Sequence, residues 1–256
     1  MGMPSDEMLP QYSFGKNFKT NITGRESWKG GPPINAEVAC YTEGSKTEEG
    51  VGAGIYITKP KTKVSLSLGK KVTIFQAETA AIRHCAEELL RQEFKGKTIA
   101  IYSDSQAAIK AINSMQVNSK LVWNCLEMLQ ELGSQKRLSL AWVPGHTGYK
   151  GNEEADSLAR EGARRFPIGP EPFCGTAKAL RKTCNSNWKE KQSQKWWNKA
   201  RGMRQAQEFI KEPSPKFTEY LLSLNRRSTR VLVGLLTGHC RLNKHMNNIG
   251  LADTAL

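Results

Sequence analysis

The chain has no apolar run approaching the about 18 residues that a membrane helix needs; the longest is Val231 to Leu236. Its opening residues, Met-Gly-Met-Pro-Ser-Asp-Glu, supply neither the basic nor the apolar part of a signal peptide. Met1-Gly2 is not followed by the Ser or Thr of a myristoylation motif. A membrane partner is therefore not expected. The six cysteines, at 40, 85, 125, 174, 184 and 240, show no paired spacing, which argues against a disulfide framework. Free thiols in a reducing, intracellular compartment are the expectation, with nucleus and cytoplasm both open. There are no internal repeats, and acidic residues are scarce in the last third.

That scarcity shapes the charge. Residues 1–165 hold 22 basic and 18 acidic side chains, and residues 166–256 hold 16 and 6, so the second stretch carries +10 of the net +14. An excess of this kind suits a polyanionic partner, most simply nucleic acid. A hydrophobic fraction of 38% argues for a folded chain.

Residues 1–34 scatter Gly, Pro, Ser and Asn with little periodicity and read as a linker or N-terminal arm anchored by Trp28. From Ala36 the pattern sharpens. Glu37 to Tyr41 is a strand closing in Thr42-Glu43-Gly44-Ser45; Val51 to Ile57 and Lys63 to Leu68 follow as an antiparallel meander. Phe75 to Phe94 is a helix whose apolar stripe takes in Ile82, Cys85, Ala86 and Leu89. Thr98 to Ser103 is a buried strand, then come helices at 106–112 and 121–132, a strand at Leu138–Val143, a Pro-Gly-His-Thr-Gly loop and a helix from Asn152 to Ala163. This order predicts an α/β fold: a five-stranded mixed sheet flanked by helices over residues 35–165. Pro167, Pro170 and Pro172 mark a boundary. Beyond it, residues 166–256 read as a basic helical extension, with Trp-bearing helices over Lys178 to Ile210 and one helix from Phe217 to Leu236.

Four acids fall where chemistry is expected. Asp104 sits where a buried strand turns into a helix, the end of an open α/β sheet at which ligands bind. Either it or Ser105 caps that helix. Glu78 lies on the core-facing stripe of its helix, where a buried carboxylate needs a partner or a metal, or else serves the helix N-terminus. Glu43 closes the first strand, which should lie beside the fourth and bring it near Asp104. Asp156 shares a helix face with Asn152, whereas Glu153 and Glu154 read as solvated first-turn acids. Carboxylates converging from four elements make a site for hard cations such as Mg²⁺ or Mn²⁺. Two such ions about 3.5–4 Å apart suit phosphodiester hydrolysis.

Tyr41-Thr42-Glu43-Gly44-Ser45, Gln76-Ala77-Glu78, Tyr102 to Gln106, and Trp142 to Gly148 continuing through Gly151 to Asp156 resemble the type 1 ribonucleases H in order and spacing over residues 36–163. The motif wording and the tail Leu236 to Asn243 look most like the ribonuclease H region of animal non-LTR retrotransposon polyproteins. The resemblance implies a ribonuclease H-like fold and an endonuclease, dependent on two Mg²⁺ ions with Mn²⁺ as a substitute, that cuts the RNA strand of RNA–DNA hybrids. It also implies a fragment of a longer polyprotein with a reverse transcriptase upstream. Glu78, Asp104 and Asp156 match the family's metal-binding carboxylates, and His146 a histidine on a mobile loop that assists proton transfer or product release. Gln106 and Asn152, with Ser105 beside them, match positions near the hybrid's backbone or minor groove, where short polar side chains suit recognition by shape and 2′-OH.

Two departures stand out. The family has Asp where this chain has Glu43; the longer arm leaves open a working ligand or a catalytically impaired nucleic-acid-binding remnant. The basic, Trp-bearing handle of some members is absent between Asn113 and Lys120. Its place is open to the extension (Trp188, Trp196, Trp197, Lys189, Lys191, Lys195, Lys199, Arg201), whose tryptophans otherwise form a small subdomain's core. His239, Cys240 and His245 resemble the start of a zinc knuckle, but without further ligands zinc is not expected.

Overall fold

The structure, a computed structural model, describes residues 4–92, 97–145, 147–169, 171, 174–239, 246–247, 250 and 253. The chain divides into two compact units, Met1–Arg181 and Lys182–Leu256.

The first unit runs β1 (Glu7–Tyr12), β2 (Phe18–Asn21), a 3₁₀ turn (Arg25–Trp28), β3 (Val38–Lys46), β4 (Val51–Ile57), β5 (Thr62–Gly69), α1 (Ile74–Arg91), β6 (Thr98–Ser103), α2 (Gln106–Asn113), β7 (Gln116–Ser119), α3 (Lys120–Gln135), β8 (Arg137–Trp142) and α4 (Lys150–Arg164). The sheet has six strands in the order β2-β8-β6-β3-β4-β5, not the five expected. β2, β8, β6 and β3 run parallel to one another, and β3, β4 and β5 form the antiparallel meander. The sixth strand comes from the segment expected as a linker or arm. Phe-Lys-Thr-Asn is too short and polar to announce itself, and it becomes a strand because the outer edge of β8 offers unpaired backbone groups. β1 pairs with β7, the short link between α2 and α3.

Alternation along the central strands divides the core. Val38, Cys40, Ile99 and Ile101 point to the layer containing α1 and α3. Tyr41, Ala100 and Tyr102 point to the other layer, under α4 and the segment around Trp28. Trp28 is 2% exposed and meets Tyr102 and Tyr149 edge-on at 5.2 and 4.7 Å. The Tyr149 hydroxyl donates to the Trp28 carbonyl, and that of Tyr102 to the Ile34 carbonyl at 3.2 Å. So Trp28 does anchor the N-terminal segment, by closing one face of the sheet.

α4 lies directly on β4 through small residues. A Cβ at Gly54 would collide with the Ala155 carbonyl and stand 2.5 Å from the Ala159 nitrogen. Only glycine in the strand, facing alanines in the helix, lets the two backbones approach this closely.

Asp6 is a second organising residue. It is 6% exposed. Its carboxylate accepts from the Leu121 N–H and the Ser119 hydroxyl, both at 2.9 Å, and from Gln76 Nε2 at 3.3 Å. Ser119 caps α3, and Gln76 belongs to the capping box with Thr73 that starts α1. Gln76 also donates to the Gly175 carbonyl, and Glu7 pairs with Lys178 and Arg181. One carboxylate thus ties the start of the chain to two helix N-termini.

In the second unit α5 (Lys178–Lys199) crosses the division, followed by α6 (Arg204–Phe209), α7 (Pro215–Ser223) and α8 (Arg226–Thr237). The single helix expected over 217–236 is two. Asn225 starts α8 by accepting from the Ser228 N–H at 2.9 Å, and Asn in extended backbone stops the preceding helix. Cys240 and His245 lie outside the described residues.

Replacing Asp6 with Ala leaves the Leu121 N–H and Gln76 amide buried without this acceptor. Asp6→Ala is expected to destabilise the first unit by about 1.5–3 kcal/mol, the loss attached to hydrogen bonds with a charged group. Urea unfolding followed by circular dichroism measures this.

Candidate active site

Three carboxylates from three elements converge. Glu43, Glu78 and Asp104 each present an oxygen, and these atoms lie within 4.8 Å of one another.

Glu43 does not close its strand, as the sequence suggested; β3 continues to Lys46, because Gly44, Ser45 and Lys46 pair with Ala53, Gly52 and Val51. Glu43 therefore sits within a paired strand, opposite Gly54 and beside β6, and is 5% exposed. Its Oε1 accepts from Asn152 Nδ2 at 3.0 Å. Glu78 follows the capped start of α1, also 5% exposed. The Gly44 N–H favours the charged form of its carboxylate. Gly44 is required for that approach: a Cβ there would stand 2.8 Å from the Glu78 nitrogen and 2.9 Å from the Ala77 Cβ. Asp104 follows β6 with its carboxylate released from capping, since Ser105 caps α2 by accepting from the Ala108 N–H at 3.2 Å. Trp142 Nε1 donates to the Asp104 carbonyl at 2.9 Å and fixes the backbone of this turn.

The fourth acid is held differently. Asp156 stands on α4, ion-paired to Arg160 one turn on at 2.5 Å, and is not among the three whose oxygens meet. Its charge still reaches Glu78. The Arg160 pairing was readable as an i,i+4 spacing but had not been singled out.

Asn152 stands deeper than the other polar residues of α4. Read as a residue near bound hybrid, it is 3% exposed, because α4 seats its first turn against β3, with Gly151 against the Tyr41 ring. Its amide holds Glu43 and presents little surface to a ligand. Gln106 opens α2, half-buried, with Oε1 3.4 Å from Lys110 Nζ. Ser105 spends its oxygen on the cap. His146 lies outside the described residues. Gly145, part of the Pro-Gly-His-Thr-Gly loop but not singled out as a site residue, borders the site: a Cβ there would sit 2.6 Å from Asp104 Oδ2.

The electrostatics are strained. Burial pushes the Glu43 carboxyl well above the usual carboxylate range, and the neighbouring charges of Glu78 and Asp104 add to this. Burial and Asp104 push Glu78 in the same direction, against the Gly44 N–H that favours its charged form. Glu78 Oε2 and Asn152 Oδ1 are buried with no hydrogen-bond partner among the described residues. Oxygen ligands, like charges packed together and orphaned acceptors fit hard divalent cations, which neutralise the repulsion and use the free lone pairs.

Above the ordinary glutamate value of 4.5, the folded chain holds protons on these two residues that the unfolded chain has lost. Stability is therefore greatest on the acid side and falls as pH rises through neutrality. The thermal midpoint without divalent metal is expected to drop between about pH 5 and about pH 8. Mg²⁺ or Mn²⁺ should raise it again, and both effects should shrink in Glu78→Gln. Asn152→Ala removes the donor to Glu43 and is expected to cost about 1–3 kcal/mol in urea unfolding and to weaken divalent-ion binding by calorimetry.

A strand-bound glutamate, a helix-borne glutamate and an aspartate at a strand end thus share one buried corner of a mixed sheet. The family model described as RNase H matches residues 35–164, just over half of the chain and the span that contributes all three, and the chain belongs to the RNase H family.

Proposed function

We propose that this protein is an endonuclease that hydrolyses the RNA strand of RNA–DNA hybrids by two-metal-ion catalysis, with Mg²⁺ as the natural ion and Mn²⁺ as a substitute. The observation that carries this reading is the meeting of Glu43, Glu78 and Asp104 oxygens within 4.8 Å in a corner that also leaves Glu78 Oε2 without a partner. These three side chains would hold the ions, and Asp156, whose charge reaches Glu78, would complete the set as the resemblance implies. Bound there, divalent ions supply a nucleophile at neutral pH and charge stabilisation for the leaving oxygen. The rest is the work of the chain itself. Asn152 donates to the longer Glu43 arm, and the Gly44 N–H favours the charged form of Glu78. Ser105 and Gln106 stand at the start of α2, beside Asp104, where short polar groups meet a shallow minor groove and its 2′-OH. His146 is assigned proton transfer or product release on the resemblance alone. The motif wording supports an origin in a retrotransposon polyprotein, with a reverse transcriptase upstream and an intracellular site of action.

A second reading, a catalytically impaired hybrid-binding remnant, draws on Glu43 itself. Its carboxylate already accepts from Asn152 and is one methylene longer than the family's Asp, so its position depends on a neighbour. Cleavage of a labelled RNA–DNA hybrid in Mg²⁺, and separately in Mn²⁺, decides between them. The chain as it stands is expected to cut, Asp104→Asn to lose at least about a hundredfold, and Glu43→Asp to cut at least as well. Cutting by Glu43→Asp alone would establish the impaired remnant. Binding of the hybrid with cleavage by no version in either metal would end the nuclease reading.

A further inference from the structure

The second unit holds its aromatic side chains in an unusual way. No residue of α5, α7 or α8 is buried, and Ala206 alone is buried in α6. Trp188 and Trp196 are 63% and 61% exposed, so they are not the core of a small helical subdomain. A groove of about 540 Å³ opens between α5 and the 210–221 segment, walled by Trp196, Trp197, Ile210, Pro213, Phe217 and Leu221. Its walls are tied together. Trp197 Nε1 donates to the Ile210 carbonyl at 2.9 Å, and Gln194 Nε2 to the Lys211 carbonyl at 3.2 Å. With Trp197 pinned, Trp196 stands beside it at 6.4 Å between ring centroids, with much of its indole open to solvent.

The surroundings are cationic. Residues 182–256 contain 14 Lys and Arg against 5 Asp and Glu. Lys189, Lys195 and Lys199 lie on α5 within four residues of a groove-lining side chain, and Lys211 and Lys216 adjoin Ile210 and Phe217. None of these five is in a salt bridge among the described residues. Solvent-facing indole with unpaired lysines around it is complementary to a chain of negative charge that carries flat apolar faces.

We propose that this groove binds single-stranded nucleic acid, with a base stacked on Trp196 and flanking phosphates neutralised by the neighbouring lysines. A duplex keeps its bases stacked on each other and offers no face to the indole, whereas a single strand does, and stacking of this kind tolerates any sequence. Phosphate neutralisation by several lysines makes the affinity fall steeply with salt. This site goes beyond the proposed nuclease reading and does not rest on it, since nothing in the groove depends on the carboxylates or on divalent metal.

The test uses the whole chain in EDTA, with labelled oligothymidylate and oligouridylate of about a dozen nucleotides, followed by fluorescence anisotropy and tryptophan quenching. Both oligonucleotides are expected to bind with quenching, more tightly than a hairpin duplex. Trp196→Ala should weaken binding about 5- to 150-fold, the equivalent of about 1–3 kcal/mol of stacking per base, while Trp196→Phe, which keeps a ring, should retain most of it. Lys195→Gln should flatten the salt dependence. Because Trp196 is exposed, unchanged circular dichroism and thermal midpoint in Trp196→Ala show that any loss is local. Tighter binding of one oligonucleotide identifies the occupant as DNA or RNA. Equal affinity in Trp196→Ala and the unaltered chain, a preference for the duplex, or binding to anionic vesicles but to neither oligonucleotide would overturn the proposal.

Discussion

Mutual repulsion among close carboxylates, two of them buried and the third half-buried, is the constraint on which the site of the first unit depends. Glu43, Glu78 and Asp104 cannot all ionise at this spacing without compensation. The fold supplies part of it through single donors: the Asn152 amide on Glu43 and the Gly44 N–H on Glu78. What remains unpaid is an affinity for positive charge. A cluster that weakens the metal-free protein is, for the same reason, a preorganised ligand set for cations.

Holding such a cluster requires backbones brought unusually close. α1 must reach over β3 for Glu78 to meet Glu43, and Gly44 permits it. α4 must lie flat on β4 for Asn152 to reach Glu43, and Gly54 with Ala155 and Ala159 permits that. Glycines and alanines that bury little surface thereby position the polar groups. The larger apolar side chains do their work elsewhere, in the layer under α1 and α3 and in the aromatic layer closed by Trp28. Asp6 joins this scheme at a distance, since it holds Gln76 two residues before Glu78.

The two units solve opposite problems. The first buries charge and must neutralise it; the second exposes aromatic rings and surrounds them with cations. Among the described residues of its helices only Ala206 is buried, so packing within them contributes little stability.

Much of this was legible in the chain alone. Val51–Ile57 was read as a strand with its observed ends, because alternating apolar residues between turn-forming clusters have few other solutions. The acids at 43, 78 and 104 stood out by their places in the pattern, since period and polarity are local properties, although Glu43 lies within its strand and not at its end. Tertiary structure decided what depends on distant partners. Phe18–Asn21 became a strand only because β8, over a hundred residues away in sequence, left an edge for it. The bond from Asn152 to Glu43 was not legible either, because the burial of that amide is set by how closely α4 approaches β3 and β4. That Ser105 and not Asp104 caps α2 was decided by the geometry of a single turn. Residue chemistry and periodicity are written in the sequence, but burial and partnership belong to elements packed against one another, and those settle which carboxylate meets which.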